Sequence, residues 1–174
     1  MKTIIETERI ILRHFCDDDA EAVFEFDSNE AVVRWTGEPA LTHIDQARDI
    51  INDIWKPEYE KYGYARYAVV HKQDQKVIGF AGLKFLPEFG EADLGYRMLP
   101  QYWGQGLASE MAVSLVAHAF DDLGLKKILG FAMPENPASC RVLEKAGFHF
   151  DKFAKIPGEE VQANWYSIDS SCSA

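Results

Sequence analysis

Residues 103–108 read Trp103-Gly104-Gln105-Gly106-Leu107-Ala108, small residues placed where an extended stretch gives way to a long helical pattern. A turn that opens a helix presents backbone amides that no helical carbonyl takes up. Small side chains let a ligand approach that backbone, and the helix dipole adds about half a positive charge, so the segment suits a phosphate without any basic side chain. Other residues could move protons. In a regular strand Glu91, Asp93 and Arg97 share one face. Asp93, with Glu91 as understudy, is therefore a candidate general base acting directly or through water; both also read as solvent-facing carboxylates near a cation. Ser139, three residues after Asn136, reads by itself as a second cap on its helix. Cys140 adjoins it, but no histidine lies nearby in sequence, which argues against a covalent acyl-enzyme.

Two phosphate motifs compete for the glycine turn. The Walker loop fails, because no Gly-Lys-Ser or Gly-Lys-Thr follows the glycines. The dinucleotide fingerprint is partly met by Gly104, Gly106 and Ser109, but it lacks its third glycine and is preceded by an antiparallel meander rather than a βαβ start. A tight strand-to-helix turn that binds nothing is the plainest alternative.

The elements that must hold these residues are legible from periodicity. Glu8 to Arg13 reads as a strand, and Asp17, Asp18 and Asp19 offer an N-cap to a helix beginning near Ala20. Thr42 and Asp45 start another helix with the stripe Ala47, Ile50, Ile51, Ile54 and Trp55, which Pro57 is expected to end or kink. Between these helices, 34–41 has the composition of an irregular loop, and loops often carry specificity. Trp35, Tyr64 and the Asp17–Asp19 run could touch an acceptor, though aromatic residues usually serve the core and acidic triplets usually cap.

Tyr67 to His71, Val77 to Leu86 and Glu91 to Leu99 form a meander. The pattern then changes to turn, helix (107–123, closed by Gly124) and strand (127–133). Asn136-Pro137 starts a short helix that Gly147 stops. Strands 148–153 and 161–168 close the chain, leaving 169–174 as a tail expected to fray.

At 174 residues the chain has the length of one domain, and no internal repeat or linker divides it. Eighteen basic against 28 acidic residues give a net charge of −10. That charge disfavours nucleic acid and anionic membrane surfaces as partners and mildly favours cationic ones. No apolar run approaches the roughly 20 residues a bilayer span needs, and no signal peptide is apparent. The three cysteines lack a CxxC pair and the five histidines lack ligand spacing, so neither disulfides nor a metal is expected and a reducing cytoplasm fits best.

The glycine turn does not stand alone. Asn136-Pro137-Ala138-Ser139 through Leu143-Glu144-Lys145-Ala146-Gly147-Phe148 follows it after one strand. With these segments, and with Thr7-Glu8-Arg9-Ile10-Ile11-Leu12-Arg13 near the start, the chain resembles the GNAT superfamily of N-acetyltransferases, especially the branch that acetylates N-termini of ribosomal proteins. The resemblance runs from Thr7 to Trp165 and implies one α+β domain over 1–174, a three-layer α/β/α arrangement around a mixed, mostly antiparallel sheet of about seven strands. It implies acetyl-CoA as cosubstrate, entering where strands 91–99 and 127–133 splay apart. Amides of Trp103, Gly104, Gln105, Gly106, Leu107 and Ala108 would hold its pyrophosphate. Trp103 stands where the family usually has Gln or Arg, while Gly106 and Ala108 fit its pattern. Backbone at Met98 and Leu99 would pair with pantetheine, and Asn136 would hold the same arm.

Many members carry a tyrosine seven residues after that Asn to protonate the leaving thiolate; here the position is Leu143. Ser139 matches the serine given this role in the ribosomal branch. The reaction so implied is direct transfer of acetyl to a primary amine in a ternary complex, by a monomer or homodimer. Family members acetylate protein N-termini, polyamines, antibiotics and amino acids. An α-amine of pKa near 8 is roughly a tenth neutral at pH 7, against about one lysine in 2,500, so weak candidate bases favour an N-terminal or otherwise low-pKa amine. The missing tyrosine leaves a non-catalytic CoA-binding regulatory module as the alternative, and a nucleotide-binding protein using the glycine turn as a more distant one.

Overall fold

The computed structural model describes residues 2–172, with side chains through Ser171. Eight strands are present among them: β1 (Thr3–Glu6), β2 (Ile10–Arg13), β3 (Arg66–His71), β4 (Lys76–Leu86), β5 (Glu91–Met98), β6 (Lys127–Ala132), β7 (His149–Lys155) and β8 (Gln162–Asp169). They form one sheet in the order β1-β2-β3-β4-β5-β6-β8-β7. Pairs β1·β2, β2·β3, β3·β4, β6·β8 and β7·β8 are antiparallel, and β5·β6 is parallel. The helices are α1 (Ala20–Asp27), α2 (Glu30–Val33), α3 (Ile44–Asp49), α4 (Lys56–Tyr62), α5 (Leu107–Asp121) and α6 (Pro137–Lys145). This is the expected α+β class with one more strand than about seven. The addition is β1, whose β-branched Thr3, Ile4 and Ile5 precede the strand read from Glu8. Residues 7–9 turn between the two: the Thr7 amide donates to the Ile10 carbonyl (2.9 Å), and Thr7 Oγ1 accepts from the Ile10 amide (3.2 Å).

The chain divides into two compact units, the first being Met1–Gly82 with Tyr96–Leu107. Its buried residues include Ile10, Leu12, Val23, Phe26, Ile51, Tyr67 and Ile78. Phe15 stacks on Trp55 at 4.4 Å between ring centroids, and Phe80 meets Trp55 and Phe26 edge-on. Asp17–Asp19 is a 3₁₀ turn rather than a simple cap. Asp19 is buried there, and its carboxylate takes two hydrogen bonds from Arg13 and one from the Cys16 amide. Pro57 does not end the helical path: α3 runs into a π-helical segment, Ile50–Trp55, and then into α4. Proline lacks an N–H and is tolerated in a first helical turn, where Pro57 lies in α4, and the wider turn before it lets the chain continue.

The second unit is Leu83–Gly95 with Ala108–Ala174. The apolar stripe Met111, Ala112, Leu115, Val116 and Ala119 of α5 is buried as its period predicts. Strand β6 pairs with β8 from Lys127↔Asp169 to Ala132↔Asn164. Helix α6 lies close on β6: a Cβ at Gly130 would sit 2.8 Å from Leu143 Cδ2. The expected frayed tail is partly structured. Asp169 ends β8, and Ser170–Cys172 form a 3₁₀ turn whose Ser170 amide donates to the Lys126 carbonyl (2.9 Å). Residues 173 and 174 of that expectation, and the Cys172 side chain, lie outside the described residues. No helix among those described is long and apolar enough to cross a membrane.

Candidate active site

The turn before α5 has the predicted backbone. Gly104 and Gly106 hold φ of +73° and +79°, the left-handed region that glycine enters without a Cβ clash, and α5 begins at Leu107. A Cβ at Gly104 would meet nothing within 4 Å, so its surroundings are open and conformation alone demands glycine there. Trp103, Gly104, Gln105 and Gly106 are exposed, Leu107 is buried and Ala108 half-buried. Such a turn can receive an anion on backbone amides, and its small residues leave room for a diphosphate.

The first unit braces this turn. Pro100–Tyr102 is a 3₁₀ turn, and the Tyr102 hydroxyl donates to Asp74 Oδ2 at 2.7 Å, which pushes the phenol pKa up to about 12 and keeps it protonated as a donor. Arg9 Nη1 donates to the Gln105 carbonyl at 2.7 Å. Sequence reasoning missed Arg9. It belongs to the quoted Thr7–Arg13 motif, but no local spacing ties it to a loop 96 residues away.

Met98 and Leu99 lie at the end of β5, both buried. A glycine is needed opposite them, because a Cβ at Gly79 would fall 1.9 Å from the Arg97 carbonyl oxygen. Several of their backbone groups are already engaged. The Trp103 indole donates to the Met98 carbonyl (2.8 Å), the Leu99 amide to the Ile78 carbonyl (2.9 Å), and the Tyr102 amide to the Leu99 carbonyl (3.0 Å). A carbonyl has two lone pairs, so the Met98 oxygen can accept a further donor beside the indole.

In the second unit Asn136 caps α6, and it does so together with Ser139. The Ser139 amide donates to Asn136 Oδ1 (3.3 Å), while Asn136 Nδ2 donates to Ser139 Oγ (3.1 Å). Both side chains are half-buried. Leu143, at the position of the family tyrosine, is buried on β6. Cys140 Sγ donates to the Met133 carbonyl (3.8 Å) and accepts from Asn164 Nδ2 (3.7 Å), a thiol held in a hydrogen-bond set with no imidazole among these partners. Burial, then the Cys140 hydrogen bond, raise the Tyr166 pKa.

Glu91 and Asp93 are half-buried at the start of β5, where the parallel ladder to β6 holds at Ala92↔Ile128 and Asp93↔Leu129. Arg97 takes other carboxylates, in the first unit. Its Nη1 donates to Asp27 Oδ1 (2.9 Å) and its Nη2 to Glu38, while the guanidinium lies 5.1 Å over the Phe80 ring. Burial opposes its charge, but Asp27 and Glu38 outweigh that and raise its pKa; burial raises Asp27 in turn, against the pull of Arg97. Sequence reasoning missed this triad, since Asp27 and Arg97 are 70 residues apart. Trp35 is exposed with Arg34 stacked 4.7 Å over it, whereas Tyr64 is buried. Asp17 pairs with Lys56 and Asp19 with Arg13, so two of the three carboxylates of the acidic run are occupied in structure. No group of three or more His, Cys, Asp or Glu able to hold a metal is found among the described residues.

The family described as Acetyltransferase (GNAT) domain matches residues 9–149. A Bacillus subtilis (strain 168) protein named "Uncharacterized N-acetyltransferase YoaA" is 34% identical over 173 residues, 97% of each chain. Among solved structures, the acetyltransferase (GNAT family) from Bacillus anthracis is 27% identical and aligns with a TM-score of 0.81 over 98% of this chain and 99% of that one. The RimL ribosomal L7/L12 α-N-protein acetyltransferase, solved in complex with coenzyme A, has a TM-score of 0.83 over 97% of this chain and 98% of its own; at 19% identity it speaks to fold alone.

Proposed function

The chain belongs to the acetyltransferase (GNAT) family and is an N-acetyltransferase; from that premise we propose that it moves acetyl from acetyl-CoA directly to a primary amine in a ternary complex, as one cytoplasmic domain spanning 1–174. The observation that carries the cosubstrate is the turn 103–106, with two left-handed glycines opening α5. Its amides, with those of Leu107 and Ala108, hold the diphosphate. Met98, Leu99 and Asn136 position the pantetheine arm. The short β5·β6 ladder supports entry between those strands. Asp93, or Glu91, accepts the amine proton, and Ser139 donates to the departing sulfur. Leu143 leaves that role to Ser139, as in the ribosomal-protein branch. The acceptor is a protein N-terminal α-amine or a small-molecule amine of similar pKa, because such an amine is neutral near pH 7 far more often than an ordinary lysine and asks less of a general base. Free-thiol release from acetyl-CoA tests this, with peptides of varied N-terminus, spermidine, free lysine and an aminoglycoside as acceptors. Release with N-terminal peptides above the lysine rate is expected. Release with lysine alone would overturn the acceptor, and no release with any amine would overturn the transfer.

A further inference from the structure

Arg9 sits at the corner of the β1–β2 turn, and that corner is fixed from several sides. Thr7 closes the turn through the Ile10 amide and carbonyl. The Lys72 amide donates to the Arg9 carbonyl (2.9 Å), and Lys72 Nζ reaches both the Thr7 carbonyl (2.8 Å) and Glu6 (2.7 Å). From this base the guanidinium reaches the Gln105 carbonyl at 2.7 Å, and its Nη2 lies 3.5 Å from where a Cβ on Gly106 would be. The Gln105 carbonyl and the Gly106 amide belong to one peptide unit, and in a trans peptide they point in opposite directions. A guanidinium holding the oxygen therefore directs the Gly106 N–H away from Arg9, to the opposite edge of the same peptide. A left-handed glycine has little intrinsic preference to do this unaided. The bond is charge-assisted, and it polarises the peptide so that the opposite N–H becomes a stronger donor.

We infer that Arg9 is a positioning residue for the cosubstrate diphosphate: it orients the Gln105–Gly106 peptide so that the Gly106 amide faces the phosphates. The inference rests on the acetyl-CoA reading above. It also supplies a cation beside a turn whose own residues carry none, in a protein of net charge −10. The ligand group concerned is the diphosphate shared by coenzyme A and 3′-dephospho-coenzyme A and absent from S-acetylpantetheine.

The test is calorimetric binding of coenzyme A and 3′-dephospho-coenzyme A to the full chain and to its Arg9→Ala and Arg9→Lys variants, with kcat and KM for acetyl-CoA and for S-acetylpantetheine. Arg9→Ala should weaken both nucleotides about tenfold, as loss of a charge-assisted hydrogen bond implies. The KM for acetyl-CoA should rise in parallel, while kcat at saturation and turnover of S-acetylpantetheine stay near wild type. Arg9→Lys keeps a charged donor and should recover most of the loss. Unchanged coenzyme A affinity in Arg9→Ala would overturn the inference. A loss confined to coenzyme A would put Arg9 on the 3′-phosphate instead, and an equal loss with S-acetylpantetheine would reduce it to a structural residue. Melting temperature without ligand reports folding of each variant. Failure of the wild-type chain to bind coenzyme A would instead bring down the acetyl-CoA reading itself.

Discussion

Ser139 Oγ receives a hydrogen bond from Asn136 Nδ2 while its own amide reaches back to Asn136 Oδ1. A hydroxyl that accepts an N–H is polarised toward donating its own proton, so the capping pair makes Ser139 a better donor than an isolated serine. It remains a weak acid, and in the proposed reaction its part is a hydrogen bond to developing thiolate rather than full proton transfer. Ser139→Ala should therefore lower kcat by about ten- to a hundredfold, the cost of one hydrogen bond made in the transition state. The KM for acetyl-CoA should change little, because Asn136 still caps α6 through the amides of its first turn. Steady-state kinetics decide it: unchanged kcat would remove Ser139 from the mechanism. Leu143 packs against Gly130 and has no proton to give, so the proposed reaction turns to Ser139 on the preceding turn.

Helix α1 is reached through the 3₁₀ turn Asp17–Asp19, and that junction rests on Asp19. Burial disfavours its charge, but the Arg13 hydrogen bonds and the Cys16 amide more than offset this, so its folded pKa is lowered. A lowered carboxylate contributes stability that is present above its unfolded value, about 4, and is lost as pH falls through the folded value. Asp19→Asn should cost about 3 kcal/mol at pH 7 by leaving a largely buried Arg13 without its counter-charge. The gap from wild type in urea unfolding should narrow below about pH 4. Parallel curves down to pH 2 would show that Asp19 does not carry this pH dependence. The same junction shows what was legible in the sequence. Asp17–Asp19 read as an N-cap to the helix at Ala20; the run does precede that helix, but as a 3₁₀ turn in which Asp19 reaches back to the Cys16 amide and makes no side-chain cap bond to α1. The partnership of Asp19 with Arg13 on β2 was not readable, since pairing across elements leaves no periodic trace. The glycine turn and the Asn136-Pro137 helix start were legible because capping is local chemistry. The Arg9–Gln105 bond and the Asp27–Arg97–Glu38 triad were hidden as pairings across elements. β1 escaped because a four-residue edge strand is too short for its alternation to stand out.

In the proposed reaction a net charge of −10 acts on two substrates of opposite sign. At low salt the summed field draws cationic amines toward the surface and opposes a polyanionic cosubstrate, whose proposed hold is by backbone amides at short range. Salt screens the long-range part, since the Debye length falls from about 10 Å at 0.1 M to about 3 Å at 1 M. Raising ionic strength should therefore raise the KM of a polyamine several-fold and that of a singly charged N-terminal peptide less. For acetyl-CoA, relief of long-range repulsion opposes the screening of short-range attraction, so its KM should not climb in step. Initial rates across a potassium chloride series, varying each substrate in turn, measure all three dependences. A rise in acetyl-CoA KM as steep as that of the polyamine would mean that cosubstrate binding relies on long-range attraction, which the composition of this chain does not supply.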